Sequence, residues 1–180
     1  MANSIAKRPQ GASEALALVV MGVSGAGKTT VGRRLAQALN AKFIDGDDLH
    51  TEAVRAKMRA GTPLTDADRW PWLDRIAAAL REGLQRGVAT IVACSALKRA
   101  YRDRLRPQVG VGLRFLYLKA DREMMRARVG GRRNHYMPAS LVDSQFAALE
   151  PPDGEPDVIV LAADADLRAA IPKLADELSI

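Results

Sequence analysis

The residues Gly22-Val23-Ser24-Gly25-Ala26-Gly27-Lys28-Thr29 match G-x-x-x-x-G-K-[ST] at every fixed position. This pattern serves one kind of chemistry. Glycines let backbone N–H groups turn inward around phosphate oxygens, and a helix starting at the end of the loop adds its positive terminus. Lys28 has the length to reach β- and γ-phosphates, and the Thr29 hydroxyl is a hard oxygen donor for Mg²⁺. The apolar run Leu16–Met21 in front and the segment Val31–Leu39 behind supply strand and helix, which separates a working loop from a plain glycine-rich turn. These residues point to a bound nucleoside triphosphate. They leave open what receives its phosphate.

Several other residues bear on that acceptor. Asp45 and Asp47 stand two apart, just past a short apolar stretch. One carboxylate could hold the metal or its water while the other orients or deprotonates a substrate hydroxyl. The competing reading is a solvated turn with an Asx cap. His50 either contacts substrate or sits on the first turn of the next helix. Arg69 follows Asp66 and Asp68 and precedes Trp70-Pro71-Trp72, so it is either an anion site or the partner of those aspartates. Lys98 offers a point charge to an anionic substrate, or is a solvated helix start. Cys94 reads as a small buried residue rather than a nucleophile. Arg128-Val129-Gly130-Gly131-Arg132-Arg133-Asn134-His135 combines hinging glycines with cations and reads as a mobile lid over about 128–139. Within it, Arg132 would supply the cationic finger that phosphoryl transfer requires.

The elements that must position these residues follow from periodicity. Lys42–Asp45 is a second strand, followed by a helix from about Leu49 to Arg59 that Gly61 closes. Thr62–Asp68 reads as a polar loop, and Pro71 as the first residue of a long amphipathic helix carrying Leu73, Ile76, Ala77, Leu80 and Leu84. Val88–Ala93 is a strand without polar alternation, as in a sheet covered on both faces. A helix to about Leu105 follows the Cys94–Lys98 turn. Leu113–Leu118 is the fourth strand, and Asp121 caps a helix to about Val129. Ser140 with Asp143 reads as a capping box for a helix to Leu149. Asp157–Leu161 is the fifth strand, and Pro172 predicts a kink or late start in the last helix. Strands and helices alternate throughout. The expected fold is therefore a doubly wound, mainly parallel five-stranded α/β sheet with helices on both faces, residues 15–180 forming one domain after a flexible lead-in over 1–14. In such sheets ligands sit at the C-terminal ends of the strands, where the phosphate loop, the Asp45–His50 turn and the Cys94–Lys98 turn all fall.

Bulk properties narrow the class. At 180 residues, 48% hydrophobic and 27% charged, the chain has ordinary soluble composition. The net charge of +6 resides largely in two segments, Lys98–Arg106 and Arg122–Arg133, rather than in a polybasic tail. An enzyme handling a triphosphate and an anionic substrate concentrates charge in this way, so nucleic acid is not the expected partner. Aromatic content of 4% is too low for a base-stacking platform. One cysteine rules out an internal disulfide and suits a reducing cytoplasmic setting. No apolar run has the roughly 18 residues of a membrane helix, and Met1–Glu14 lacks the apolar stretch of a signal peptide.

Assembled, these segments resemble the gluconokinases of the small P-loop kinase type. The resemblance rests on Met21–Thr29, Asp45-Gly46-Asp47-Asp48-Leu49-His50, Gly61–Arg69, Pro71-Trp72-Leu73, and Val92–Lys98 continuing to Tyr101-Arg102. The phosphate loop alone is shared by many activities, whereas its combination with the other elements is specific. The resemblance implies transfer of phosphate from ATP, with Mg²⁺, to the 6-hydroxyl of D-gluconate, in a homodimer. It implies that Gly25, Gly27, Lys28, Thr29 and Thr30 cradle the phosphates and that Asp45 and Asp47 serve metal and substrate hydroxyls. Arg69 and Lys98 would hold the sugar acid, with His135 as a lid contact. The spacing Arg128-x-x-x-Arg132 is similar to that of nucleoside monophosphate kinases, where the first arginine packs on adenine and the second reaches phosphate. One departure is Arg133-Asn134-His135, where the family often carries a Lys-Gly-His-like stretch.

Overall fold

A computed structural model describes residues 15–130 and 139–179. Five strands form one parallel sheet: β1 (Ala17–Met21), β2 (Lys42–Asp45), β3 (Thr90–Ala93), β4 (Leu113–Lys119) and β5 (Val158–Ala162). Their order is β2-β3-β1-β4-β5, with every pairing parallel. The central strand β1 is in register with both neighbours, Val19 lying opposite Val92 on one side and Phe115 on the other. All five of its residues are buried, as continuous hydrophobicity requires of a strand covered on both faces. Alternation divides the core. Ala17, Val19 and Met21 face the cluster built by α3 (Asp66–Gln85) and α4 (Arg99–Val109). Leu18 and Val20 face the cluster built by α1 (Lys28–Ala38), α5 (Arg122–Gly130), α6 (Ala139–Ala148) and α7 (Leu167–Leu178). The expected doubly wound architecture is what forms.

Helix boundaries differ from the expectation where local capping outweighs periodicity. The stretch after β2 is a 3₁₀ turn, Gly46–Leu49, and α2 spans only Glu52–Arg59 behind the Thr51 cap. Thr62–Asp68 is not loop to its end. Thr65 and Asp68 form a reciprocal capping box, the Thr65 hydroxyl accepting from the Asp68 N–H at 3.2 Å and the Asp68 carboxylate from the Thr65 N–H at 3.0 Å. Helix α3 therefore begins at Asp66, and Pro71 lies inside it rather than at its start. The face Trp72, Leu73, Ile76, Ala77 and Leu80 is fully buried, each large side chain contributing about 1.5–3 kcal/mol. Helix α4 runs on to Val109 with Pro107 inside it. Asp121 caps α5 as expected, accepting from Glu123 N–H and Met124 N–H. Helix α6 begins at Ala139, one residue before Ser140, whose side chain lies outside the described residues; Asp143 pairs with Arg126 at 2.7 Å and ties α6 to α5. Helix α7 begins at Leu167 behind the Asp166 cap, so Pro172 causes no late start. Arg132, Arg133, Asn134 and His135 lie outside the described residues, as does the side chain of Arg128. The expected lid therefore has no structural description.

Candidate active site

The phosphate loop bridges the C-terminal end of β1 and the start of α1, at the centre of the sheet. Its amides fall into two groups. Gly22 N–H donates to Ser95 carbonyl (3.2 Å), Ser24 N–H to Gln145 Oε1 (2.6 Å) and Ala26 N–H to Val23 carbonyl (3.3 Å). The amides of Gly25, Gly27, Lys28, Thr29 and Thr30 have no acceptor among the described residues. Gly25 (φ 83°) and Gly27 (φ 98°) sit in the left-handed region, turning alternate peptides to opposite sides of the loop. Gly27 precedes the first turn of α1, whose orphan donors and dipole add to the same face. The result is a run of uncommitted amide donors suited to phosphate oxygens. Lys28 folds back, donating from Nζ to Val23 carbonyl at 3.0 Å. Desolvation lowers its pKa, while the nearby Asp47 and Asp45 carboxylates oppose the shift.

The acidic turn reaches the loop directly. Thr29 Oγ1 hydrogen-bonds Asp45 Oδ2 at 3.2 Å, and Asp45 Oδ1 accepts from Asp47 N–H at 3.2 Å. The glycine between the aspartates is dictated by contact, because a Cβ on Gly46 would lie 2.3 Å from Ala93 carbonyl at the end of β3. Gly46 carbonyl in turn accepts from Trp72 Nε1 at 2.7 Å, so the turn is clamped between β3 and α3. Asp47 is solvent-exposed at its surface, yet its carboxyl pKa is raised. Desolvation is the main cause, reinforced by Asp45 and Asp48 and opposed by Lys28 and Arg69. A hydroxyl and a carboxylate oxygen side by side are the hard donors that Mg²⁺ takes from a protein when phosphates complete its shell. No group of three or more His, Cys, Asp or Glu that could hold a metal occurs among the described residues. His50 is not on a helix. It is buried and stacked on Trp72 (centroids 4.3 Å apart, planes at 13°), with Nδ1 unpartnered among the described residues. Burial and the cations Arg69, Arg75 and Arg55 push its pKa down to about 4, so the ring is neutral at physiological pH.

The acceptor-side cations meet around Tyr101. Lys98 caps α4, and its ammonium lies 2.9 Å from both oxygens of Asp66, whose Oδ1 also accepts from Tyr101 hydroxyl at 2.5 Å. Asp68 pairs with Lys57 at 2.6 Å. Neither aspartate is the partner of Arg69, whose guanidinium stands 5.8 Å from the Tyr101 ring centre and makes no ion pair among the described residues. Of the two cations named from sequence, Lys98 is committed and Arg69 is available. Cys94 is buried and desolvation pushes its thiol up to about 12, which makes it an inert packing residue.

The turn carrying Lys98 is held from behind by Arg102, which is fully buried. Arg102 donates to Ala96 and Leu97 carbonyls (3.1 Å each), to Glu150 carbonyl (3.1 Å), and through Nε and Nη2 to Glu155 (2.9 and 2.6 Å). Those bonds use all five guanidinium donors. Ala96 sits at φ 41°, a strained position for a residue with a Cβ. Tyr101, Arg102 and Gln145 are site neighbours to which sequence reasoning assigned no role, and Asp66 was read only as a partner for Arg69. Asp66, Tyr101 and Arg102 lay within motifs already quoted, whereas Gln145 carried no signal.

A phosphate loop on the central parallel strand, with an acidic turn and an available guanidinium beside it, defines a P-loop kinase. The family model described as an AAA domain matches residues 18–152. The thermosensitive gluconokinase of Escherichia coli (strain K12) is 43% identical over 150 residues, covering 83% of this chain and 80% of the relative. The gluconokinase of Gluconobacter oxydans (strain 621H) is 45% identical over 147 residues, 82% of each chain. The crystal structure of a gluconokinase from Sinorhizobium meliloti 1021 superposes with TM-score 0.80 at 40% identity, covering 92% of this chain and 96% of that one. The chain belongs to the gluconokinase family.

Proposed function

We propose that the protein transfers the γ-phosphoryl group of ATP to the 6-hydroxyl of D-gluconate, giving 6-phospho-D-gluconate and ADP. The observation that carries the reading is the Thr29–Asp45 hydrogen bond, which sets the acidic turn directly against the phosphate loop. The amides of Gly25, Gly27, Lys28, Thr29 and Thr30 bind the phosphates, with Gly22, Val23, Ser24 and Ala26 shaping the loop. Lys28 leaves Val23 carbonyl to neutralise charge on the transferring group. Asp47 accepts a hydrogen bond from the 6-hydroxyl and takes its proton as the O–P bond forms, a role suited to a carboxylate of raised pKa. Arg69 receives the gluconate carboxylate, and Lys98, held by Asp66, lies beside the same Tyr101 ring. His50 offers a neutral ring edge to a sugar hydroxyl.

Thr29 and Asp45 are the residues that would hold Mg²⁺, which would neutralise charge developing on the phosphates. Arg128, Arg132 and His135 belong to this reading as lid contacts to nucleotide and substrate, with Arg132 as the cation over the transferring phosphoryl group. Residues 15–180 are read as one kinase domain working as a homodimer in the cytoplasm; light scattering tests the dimer. No described helix is long and apolar enough to cross a membrane.

A coupled ADP-release assay over a panel of hydroxylated acids tests the acceptor. Gluconate is expected to give turnover well above the acceptor-free rate. Turnover with shikimate but not gluconate would reassign the acceptor. ATP hydrolysis without any sugar, together with retention on nucleic acid at moderate salt, would favour a nucleotide-dependent binding module instead.

A further inference from the structure

The committed and free amides of the phosphate loop alternate, and one committed amide depends on a distant side chain. Gly22 is anchored by the backbone of the turn after β3, and Ala26 by the loop's own Val23. Ser24 is anchored by Gln145, 121 residues later on α6. The contact has two points: Gln145 Oε1 accepts from Ser24 N–H at 2.6 Å, and Gln145 Nε2 donates to Ser24 Oγ at 3.2 Å. Only an amide in this orientation accepts from the N–H while donating to the hydroxyl oxygen. Helix α6 is a firm base for it. Val142, three residues earlier and so on the same helical face, is fully buried in one cluster with Val23 and Ala26 of the loop. Phe146 packs against that cluster too, and Asp143 is bound through two oxygens to Arg126 on α5.

We propose that Gln145 is a positioning residue for the phosphate donor. By fixing the Ser24 peptide, it keeps the adjacent Gly25 amide turned toward the triphosphate. The neutrality of the side chain is part of this role. A carboxylate of the same length would still accept from Ser24 N–H and from its hydroxyl, but would place a negative charge beside a polyanion. The inference rests on the loop being the ATP site.

The test compares Gln145→Ala and Gln145→Glu with wild type, measuring KM for ATP, KM for gluconate and the melting temperature. Gln145→Ala should raise KM for ATP about fivefold to tenfold, the effect of losing two hydrogen bonds at a half-buried position. Gln145→Glu should raise it further, and the excess over Gln145→Ala should shrink as salt increases, because exposed charges are screened. KM for gluconate should stay within twofold, with melting temperatures close to wild type. A wild-type KM for ATP in Gln145→Ala overturns the proposal, and so does a parallel rise in both KM values. A Gln145→Glu variant that matches Gln145→Ala at every salt concentration overturns the charge argument. Lys28→Ala is the control. If it too leaves ATP use unchanged, the loop assignment itself fails; if it abolishes activity while Gln145→Ala is silent, only the present inference fails.

Discussion

Asp47 and Arg69 carry the two halves of the proposed acceptor chemistry, and they fail differently when altered. Asp47 owes its raised pKa first to desolvation and then to Asp45, so the carboxyl is a better proton acceptor than a free surface aspartate. Asp47→Asn keeps the shape and removes the base. We expect kcat to fall by about 10²–10⁴ with KM for ATP nearly unchanged. An unaltered kcat in steady-state assays would move the proton transfer elsewhere. Arg69 makes no ion pair among the described residues and holds a half-buried guanidinium beside Tyr101. Arg69→Ala should raise KM for gluconate at least about tenfold, the scale of a charge-assisted hydrogen bond, while sparing KM for ATP. An effect confined to ATP would place the guanidinium on the donor side.

At the scale of elements, the turn between β3 and α4 is held by the buried pair Arg102–Glu155. Their side chains are 0% and 8% exposed, so neither charge is solvated if the other is lost. Glu155 also binds Arg106, and these arginines hold its carboxyl down at about 2. Arg102→Met would strand part of that charge together with the carbonyls of Ala96, Leu97 and Glu150. The expected cost is about 3–5 kcal/mol, a fall in melting temperature of roughly 6–20 °C for a chain of this size. A melting curve within 2 °C of wild type would show that the pair is dispensable, since well-packed apolar replacements of buried ion pairs are sometimes neutral.

For the whole molecule, His50 and Glu155 are two groups of low exposure that contribute to the acid response in the same direction. His50 has a folded-state pKa of about 4 against an ordinary 6.5. Between those values the unfolded chain binds the extra proton, so stability falls as pH drops from about 6.5 to 4. Glu155 is depressed to about 2 from 4.5, so its contribution is fully present above 4.5 and is lost as pH falls toward 2. Thermal melts between pH 7 and pH 4 should therefore show a steady decline that His50→Leu flattens. A wild-type melting temperature constant over that interval would contradict a buried neutral imidazole.

The sequence by itself determined the architecture and the donor site. Alternating apolar strands and amphipathic helices admit few arrangements other than a doubly wound sheet, and the glycine-lysine-threonine spacing works only as a local strand–loop–helix unit. Such features are legible because their partners are neighbours in the chain. Residue type and position extended that reading to Asp45, Asp47, Arg69 and Lys98 as candidates, and motif resemblance gave them roles. Only the tertiary structure decided which of those groups are free. Asp66 could have paired with Arg69, three residues away on the same helix, but goes to Lys98 of another element. His50 lies beneath Trp72 and not on a helix start, because Gly46 lets its turn press against β3. Ser24 is held by Gln145 from the far end of the chain. Each of these is a choice among partners made by packing, and no spacing in the sequence encodes it. The loop defines a place for phosphate, and the fold decides which charges around it remain uncommitted.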